Sequence, residues 1–307
     1  MSEAGYLAAL EIEAAMTADT FATKSTSHHQ RHGQPPASAD SLNAAIATID
    51  WVGPARSWML RALSLAVGVM FWEIACAYHF NFIVKFENVP DPFSVASALI
   101  AHGQEVKFYL HILVSMERIL IGFVLASGLG ILAGIAIGRS WIARDLITPY
   151  IEILRPIPAV AWIPLAILMW PTEEASIIYI TFLGALFPVV LNTVHGVEQT
   201  PEILVRAAQS LGATRLQILW HVVLPAALPS IAAGLTIAMG VSWFSLLAGE
   251  IISGQYGIGY FTWNAYSLID YPDIVVGMLI IGLLGTLSTL AVRKLMQPLL
   301  SWQKKSR

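Results

Sequence analysis

Arg118 and Arg155 are the chain's first chemical signal, because both fall within long apolar runs. A charged group there is costly and normally marks a pathway or a buried pair. A guanidinium offers a planar fork of donors that matches an oxyanion. Arg118, towards the outer end of its run, is expected to attract an anion, the plainer alternative being a structural bridge. Trp162, Thr181, Asn192, His195, Ser242, Trp243 and Ser245 are expected to line a small polar cavity between helices, on the same pathway as Arg118 and Arg155, the plainer alternative being that each satisfies a neighbouring helix. Other chemistries find less support. Ser127 precedes Gly128, and His79, His195 and His221 are available, but no Gly-x-Ser-x-Gly elbow occurs. There is no Gly-x-x-x-x-Gly-Lys-Ser/Thr loop and no Gly-Lys pair, which excludes ATP hydrolysis by that route. His28, His29 and His32 lack a cysteine or carboxylate array beside them and read as polar chain rather than a metal site.

The elements that must hold these residues are membrane helices. The 307 residues are 56% hydrophobic and 12% charged, about half the charge of ordinary soluble domains. Six apolar runs approach or exceed spanning length, at about 59–80, 108–138, 146–170, 175–196, 222–250 and 274–296. The class is all-α and polytopic, and no alternating strand pattern suggests a barrel. Residues 1–57 read as a flexible cytoplasmic extension, 58–300 as the transmembrane domain and 301–307 as a cytoplasmic tail. The start lacks a basic first region and carries Glu3, Glu11 and Glu13, unlike a cleaved signal peptide. The single cysteine, Cys76, excludes an internal disulfide, and a net charge of −3 gives no hint of nucleic-acid binding.

Lysine and arginine set the expected orientation. Arg139, Arg144, Arg206, Arg215, Arg293 and Lys294 fall in alternate connections and the tail, against only Lys85 and Lys107 on the other side. Both termini and the connection around Thr200 are therefore expected in the cytoplasm. Within the spans, Gly122, Ala126, Gly130, Gly134 and Gly138 form a small-residue ladder suited to close helix packing. Pro156, Pro158 and Pro164 remove backbone donors from the third run, as in the broken helices that line transport paths or in a kinked structural helix. Beyond the fifth run, Glu250 to Asp273 mixes glycines with aromatic residues, the composition of a mobile loop or an interfacial belt.

The longest polar interruption in the second half runs from Thr200 to Pro229. Thr200 is expected to cap a short helix that starts at Pro201 and Glu202. Gly212 allows the left-handed turn that ends it, and Thr214 with Gln217 has the spacing of a capping box for the next.

Ala207-Ala208, Gly212 four places on and Leu224-Pro225 twelve places further resemble the EAA motif of ABC-importer permeases. Arg206 stands where the motif begins with Glu, and Val222 where it has Ile. The wording Arg-Ala-Ala-Gln-Ser-Leu-Gly-Ala, from Arg206 to Ala213, resembles the branch handling taurine, alkanesulfonates, nitrate and bicarbonate. The resemblance continues through Arg155 to Leu165 and Gly257 to Tyr260, covering roughly Trp58 to Leu300. It implies a type I ABC importer permease fold in the bacterial inner membrane and a transport subunit rather than an enzyme. It also implies a homodimer with one path between protomers, and no cofactor in this chain. Its further implied partners are two ATPase subunits using ATP and Mg, and a periplasmic or lipid-anchored substrate-binding protein. Arg206, Ala207, Ala208, Ser210, Leu211, Gly212 and Arg215 would face the ATPase within a coupling segment at 200–220. Glu250, Gly257, Gly259 and Tyr260 would belong to an outer gate. The implied cargo is a small oxyanion, with a heterocyclic vitamin precursor as the alternative. An ion-coupled secondary transporter is a rival class, which would show internal repeats and a midplane carboxylate.

Overall fold

The computed structural model describes residues 52–78 and 89–300, and every regular element among them is helical. The three N-terminal histidines, the body of the expected extension and the 301–307 tail lie outside the described residues. The chain divides into two units, Met1–Val67 and Gly68–Arg307. The described part of the first is the opening of α1 (Val52–Ala77), where Arg61 lies 5.2 Å over the Trp58 ring.

The second unit holds the remaining helices. They are α2 (Pro92–His102), α3 (Val106–Arg139), α4 (Trp141–Leu154), α5 (Ile163–Met169), α6 (Glu173–Glu198), α7 (Glu202–Ser210), α8 (Arg215–Ile218), α9 (Leu224–Ser253), α10 (Ile258–Ser267) and α11 (Tyr271–Met296). Among the described residues, five stretches are long and apolar enough to cross a membrane, and α4 with α5 makes a sixth if a bent pair is one span.

That pair takes the place of the third span expected at about 146–170, and it is broken rather than merely kinked. A turn and a short 3-10 helix, Ala159–Trp162, separate α4 from α5, and the two axes differ by 88°. Arg155 still closes α4 in helical geometry, but Pro156 and Pro158 supply no N–H to carry the ladder on, and Pro158 itself is extended at φ −57, ψ 140. The fifth span begins earlier than expected. From Arg215 the chain runs through a π turn, Leu219–Val223, into α9. Pro225 has no N–H for the next α-type bond, and the Leu224 N–H reaches back to the Leu219 carbonyl instead.

α6 is the central helix, with α3 and α9 packed along its length. Their main apolar cluster joins Ile119, Phe123 and Ala126 with Ile177, Ala185 and Val189, and with Ile231, Leu235 and Leu246. The glycine ladder makes the α3–α6 approach possible. A methyl group at Gly130 would lie 3.0 Å from Val189 Cβ, at Gly134 2.5 Å from Thr193 Cβ, and at Gly138 2.8 Å from Val197 Cβ. Gly134→Ala is therefore expected to lower stability by about 1–3 kcal/mol through overpacking. Gly128→Ala, in the same helix with nothing within 4 Å of the new methyl, should be neutral or slightly stabilising. Thermal unfolding in one detergent compares the two.

α2 is fastened to α11 by a histidine at its C-terminal end. His102 Nε2 lies 2.8 Å from Asp273 Oδ2 and Nδ1 3.4 Å from Glu105 Oε2, with the ring packed on Phe108 and Phe261. Burial lowers its pKa, but hydrogen bonding and attraction to Asp273, then Glu105, outweigh that and hold it above its ordinary value. A raised histidine stabilises below the unfolded value, near pH 6.5, and that contribution disappears as pH rises through the folded value. The α2 amides should thus be less protected, relative to the base-catalysed intrinsic exchange rate at each pH, above neutral pH than at about pH 5.5, and a His102→Gln variant should flatten that difference in protection.

Candidate functional site

At the α10 end of the molecule a buried ion network holds an irregular turn in place. One stripe of α3 presents His111, Ser115 and Arg118 towards it. The start of α10 offers three N–H groups, and each meets a side chain from another helix. Gly257 N donates to His111 Nδ1 at 3.1 Å, Ile258 N to Ser115 Oγ at 2.9 Å, and Gly259 N to Glu250 Oε2 at 2.9 Å. Glu250 Oε1 accepts from Ser115 Oγ at 2.7 Å and from Arg118 Nη1 at 2.9 Å. Arg118 Nη1 also donates to the Tyr256 carbonyl at 2.6 Å, and its Nε and Nη2 fork onto Glu174, with Nε at 2.7 Å.

Glycine is required in this turn. Gly257 has φ 121, and a Cβ there would enter the Glu250 carboxylate. One at Gly259 would lie 2.9 Å from Glu250 Cβ. Tyr260 stacks on His111 with ring centroids 6.1 Å apart.

This arrangement corrects the reading of Arg118 as a guide for anions. It is 2% exposed and two carboxylates occupy its donors, which leaves no fork to offer a passing anion. The structural-bridge alternative fits. Thr181, Ser242 and Trp243 are likewise turned away from any shared cavity. Thr181 packs on Gly122 and donates to the Ile177 carbonyl, Ser242 donates to the Ala238 carbonyl, and Trp243 reaches Ser288 on α11 at 2.8 Å. Asn192 donates to the Pro188 carbonyl, and Trp162 packs against Ile163, Ala166 and Ile180. Each small polar group satisfies its own or a neighbouring helix, the usual fate of such residues in a bundle.

Two of the expected pathway residues, Arg155 and one member of the expected cavity, Ser245, do come together. A pocket of about 510 Å³ opens between the α4–α5 break and helices α6 and α9, within the size range of ligand sites. Arg155 and Ser245 line it, among Pro156, Pro158, Leu183, Phe187, Leu191 and Phe244. Among the described residues no carboxylate pairs with Arg155. Ser245 Oγ is buried and has no hydrogen-bond partner. A methyl group at Gly184 would lie 2.9 Å from Ser245 Cβ, so the glycine makes room for this side chain.

At the opposite end, α7 and α8 form a compact knuckle. α7 starts at Glu202 with Pro201 in the cap position, and Thr200 does not cap it, its Oγ1 having no partner. The Leu211 N–H and the Ala213 N–H close the helix on the Ala207 and Ala208 carbonyls, and Gly212 takes φ 79. Thr214 and Gln217 form the capping box. Arg206 pairs with Glu202 at 2.7 Å on an exposed face, and Ser210 Oγ donates to the Arg206 carbonyl at 3.1 Å. Leu211 is 87% exposed, and Ile203 and Leu216 on the same two helices are exposed too. Ala208 turns partly inward against the apolar cluster, while Ala207 and Arg215 face out.

Residues 126–301 match the family of binding-protein-dependent transport system inner membrane components. The chain belongs to that family. This permease is 32% identical over 257 residues to the taurine transport system permease protein of Escherichia coli, covering 80% of this chain and 92% of that one. It is 32% identical over 235 residues to the nitrate import permease protein of a Synechocystis species, covering 74% and 83%. Among solved structures, a bacterial ABC transporter involved in the import of the acidic polysaccharide alginate shares the fold, with TM-score 0.56 and 16% identity over 81% of this chain and 98% of that one. The fold is that of an ABC importer permease, multi-pass and helical.

Three residues of the permease's ion network escaped the sequence reading: His111, Ser115 and Glu174. A stripe at i, i+4 and i+7 along α3 ending in an arginine was the available signal. Glu174 sits in the first turn of α6, where an acidic residue is ordinary.

Proposed function

We propose that this permease forms the membrane path of an ATP-driven importer for a small oxyanion. The observation that carries the cargo class is Arg155, a cation without a carboxylate partner at the wall of an otherwise apolar pocket that also holds the free Ser245 hydroxyl. Nitrate and taurine, named for two relatives, each carry an oxygen trio that a guanidinium fork fits. The site is weak by design, since a cargo held tightly would not leave. The path lies between two copies of the chain, each contributing one such pocket. Two separate ATPases dock on α7 and α8 from the cytoplasm, and closure on ATP moves these helices as levers. Their charge bears on the orientation: Arg206 and Arg215 flank the knuckle, and Arg139, Arg144, Arg293 and Lys294 lie at helix ends expected on the same side. A substrate-binding protein delivers cargo at the α10 end, where Glu250, Gly257, Gly259 and Tyr260 belong to the gate.

Uptake into proteoliposomes containing the permease, its ATPase and its binding protein tests this, with labelled nitrate, taurine and bicarbonate and with or without ATP. ATP-dependent uptake of one anion is expected. Arg155→Gln should cut it by about tenfold, the loss of one charge-assisted contact, while Arg155→Lys keeps part of it. Uptake that ignores ATP, or an Arg155→Gln complex with wild-type rates for every anion taken up, would sink the reading. The pocket's Phe187 and Phe244 walls favour one second reading, a flat heterocyclic cargo, for which Arg155→Gln would leave transport intact.

A further inference from the structure

Arg118 holds two carboxylates whose surroundings differ. Glu250 is fully enclosed with Arg118, Ser115 and the Gly259 N–H, whereas the Glu174 side chain is 59% exposed. Parting Arg118 from Glu250 would strand two charges away from water, whereas releasing Glu174 returns one carboxylate to solvent and leaves Arg118 its Glu250 counter-charge, the cheaper of the two breaks. A motion that strains this network therefore breaks at Glu174. The two pieces it joins are both irregular. One is the Tyr256–Gly259 turn, held by Arg118, Ser115 and Glu250. The other is the α5–α6 corner, where Ser176 Oγ donates to the Ala166 carbonyl at 3.1 Å and so binds the first turn of α6 to α5. That corner ends the broken span whose proline segment walls the pocket.

We propose that Glu174 is a positioning residue of the transport cycle: its bond to Arg118 fastens the α5–α6 corner to the gate turn in this state, and its release frees the corner to swing on the Pro156–Pro158 break. The proposal rests on the reading of this end as the cargo entrance. It asks nothing of Glu174 as a ligand for cargo.

The test uses the full permease–ATPase complex in lipid nanodiscs, with Cys76→Ser and a reporter cysteine at Ala166, which is 0% exposed. Labelling by a charged maleimide reports how often the corner opens. With Glu174→Gln, labelling is expected to speed up about tenfold, as for an opening equilibrium shifted by one such contact. ATP hydrolysis without the binding protein should rise in parallel, and Glu174→Asp should restore much of the wild-type behaviour. A packing role would not respond to salt, but a pair whose carboxylate is 59% exposed is partly screened, and more so once it opens. Wild-type labelling should therefore quicken with ionic strength, and Glu174→Gln labelling should not. Equal labelling in wild type and Glu174→Gln, or identical salt responses, overturns the proposal. If Ala166→Cys fails to assemble, Ile163→Cys, at 1% exposure, gives the same readout. Absence of ATP-dependent uptake in the wild type would instead overturn the importer reading, while the labelling comparison would still decide the clasp.

Discussion

Arg118→Gln is expected to destabilise the permease by about 3–5 kcal/mol, the usual penalty for leaving a buried charge without its partner. The stranded group is Glu250, at 0% exposure, with only Ser115 and one backbone N–H left to it. The loss spreads further, because Arg118 also holds the Tyr256 carbonyl and Glu174. Thermal unfolding of the purified protein in detergent measures the drop. Glu250→Gln should cost less, since the amide can still accept from Ser115 and Arg118 stays paired with Glu174. The double variant Arg118→Gln, Glu250→Gln should be less destabilised than the sum of the singles, because the worst consequence of each is an unpaired partner. An anion-guiding Arg118 gives the opposite pattern, with reduced transport, unchanged melting and no coupling to Glu250.

The contrast between the two arginines shows where sequence stops being informative. Membrane crossing, the small-residue ladder, the Gly212 turn and the Thr214–Gln217 capping box depend on composition and short spacing, and all are present in the structure. The three prolines pointed to a broken or a kinked span, but not to halves that meet at 88°. Arg118 and Arg155 looked alike in one dimension, because both are arginines in apolar runs. Their difference lies in residues 56 and 132 positions away, Glu174 and Glu250, which neutralise one and not the other. Small polar residues misled for a related reason. Thr181 and Ser242 each return a hydrogen bond to the carbonyl four residues back, an option open to any helical serine or threonine and invisible as a departure from lining a cavity. Ser245 has no such partner, and it reaches the pocket.

Leu211→Glu is expected to separate the permease from its ATPase without disturbing its own fold. Leu211 caps α7 and is 87% exposed, so the permease loses almost nothing when it is replaced. Three exposed aliphatic residues on the knuckle, Leu211 with Ile203 and Leu216, are apolar surface of the kind a partner covers. A carboxylate in the middle of such a contact should weaken docking by at least about 2 kcal/mol, or roughly thirtyfold, if Leu211 is one of its anchors. The variant should insert, melt like the wild type, fail to co-purify with the ATPase, and lose uptake. Ala208→Trp tests the same contact less cleanly. Ala208 lies beside a recess of about 350 Å³ shared with Gly212, Ile218 and His221, and part of its surface packs on the permease's own core. A tryptophan there would overfill both sides, so lower melting is expected together with lost docking. Comparing the two variants separates the partner's share from the permease's. Wild-type co-purification and uptake in Leu211→Glu would remove Leu211 from the proposed ATPase contact, and the same result on the exposed Ala207 and Arg206 face would overturn docking on the knuckle.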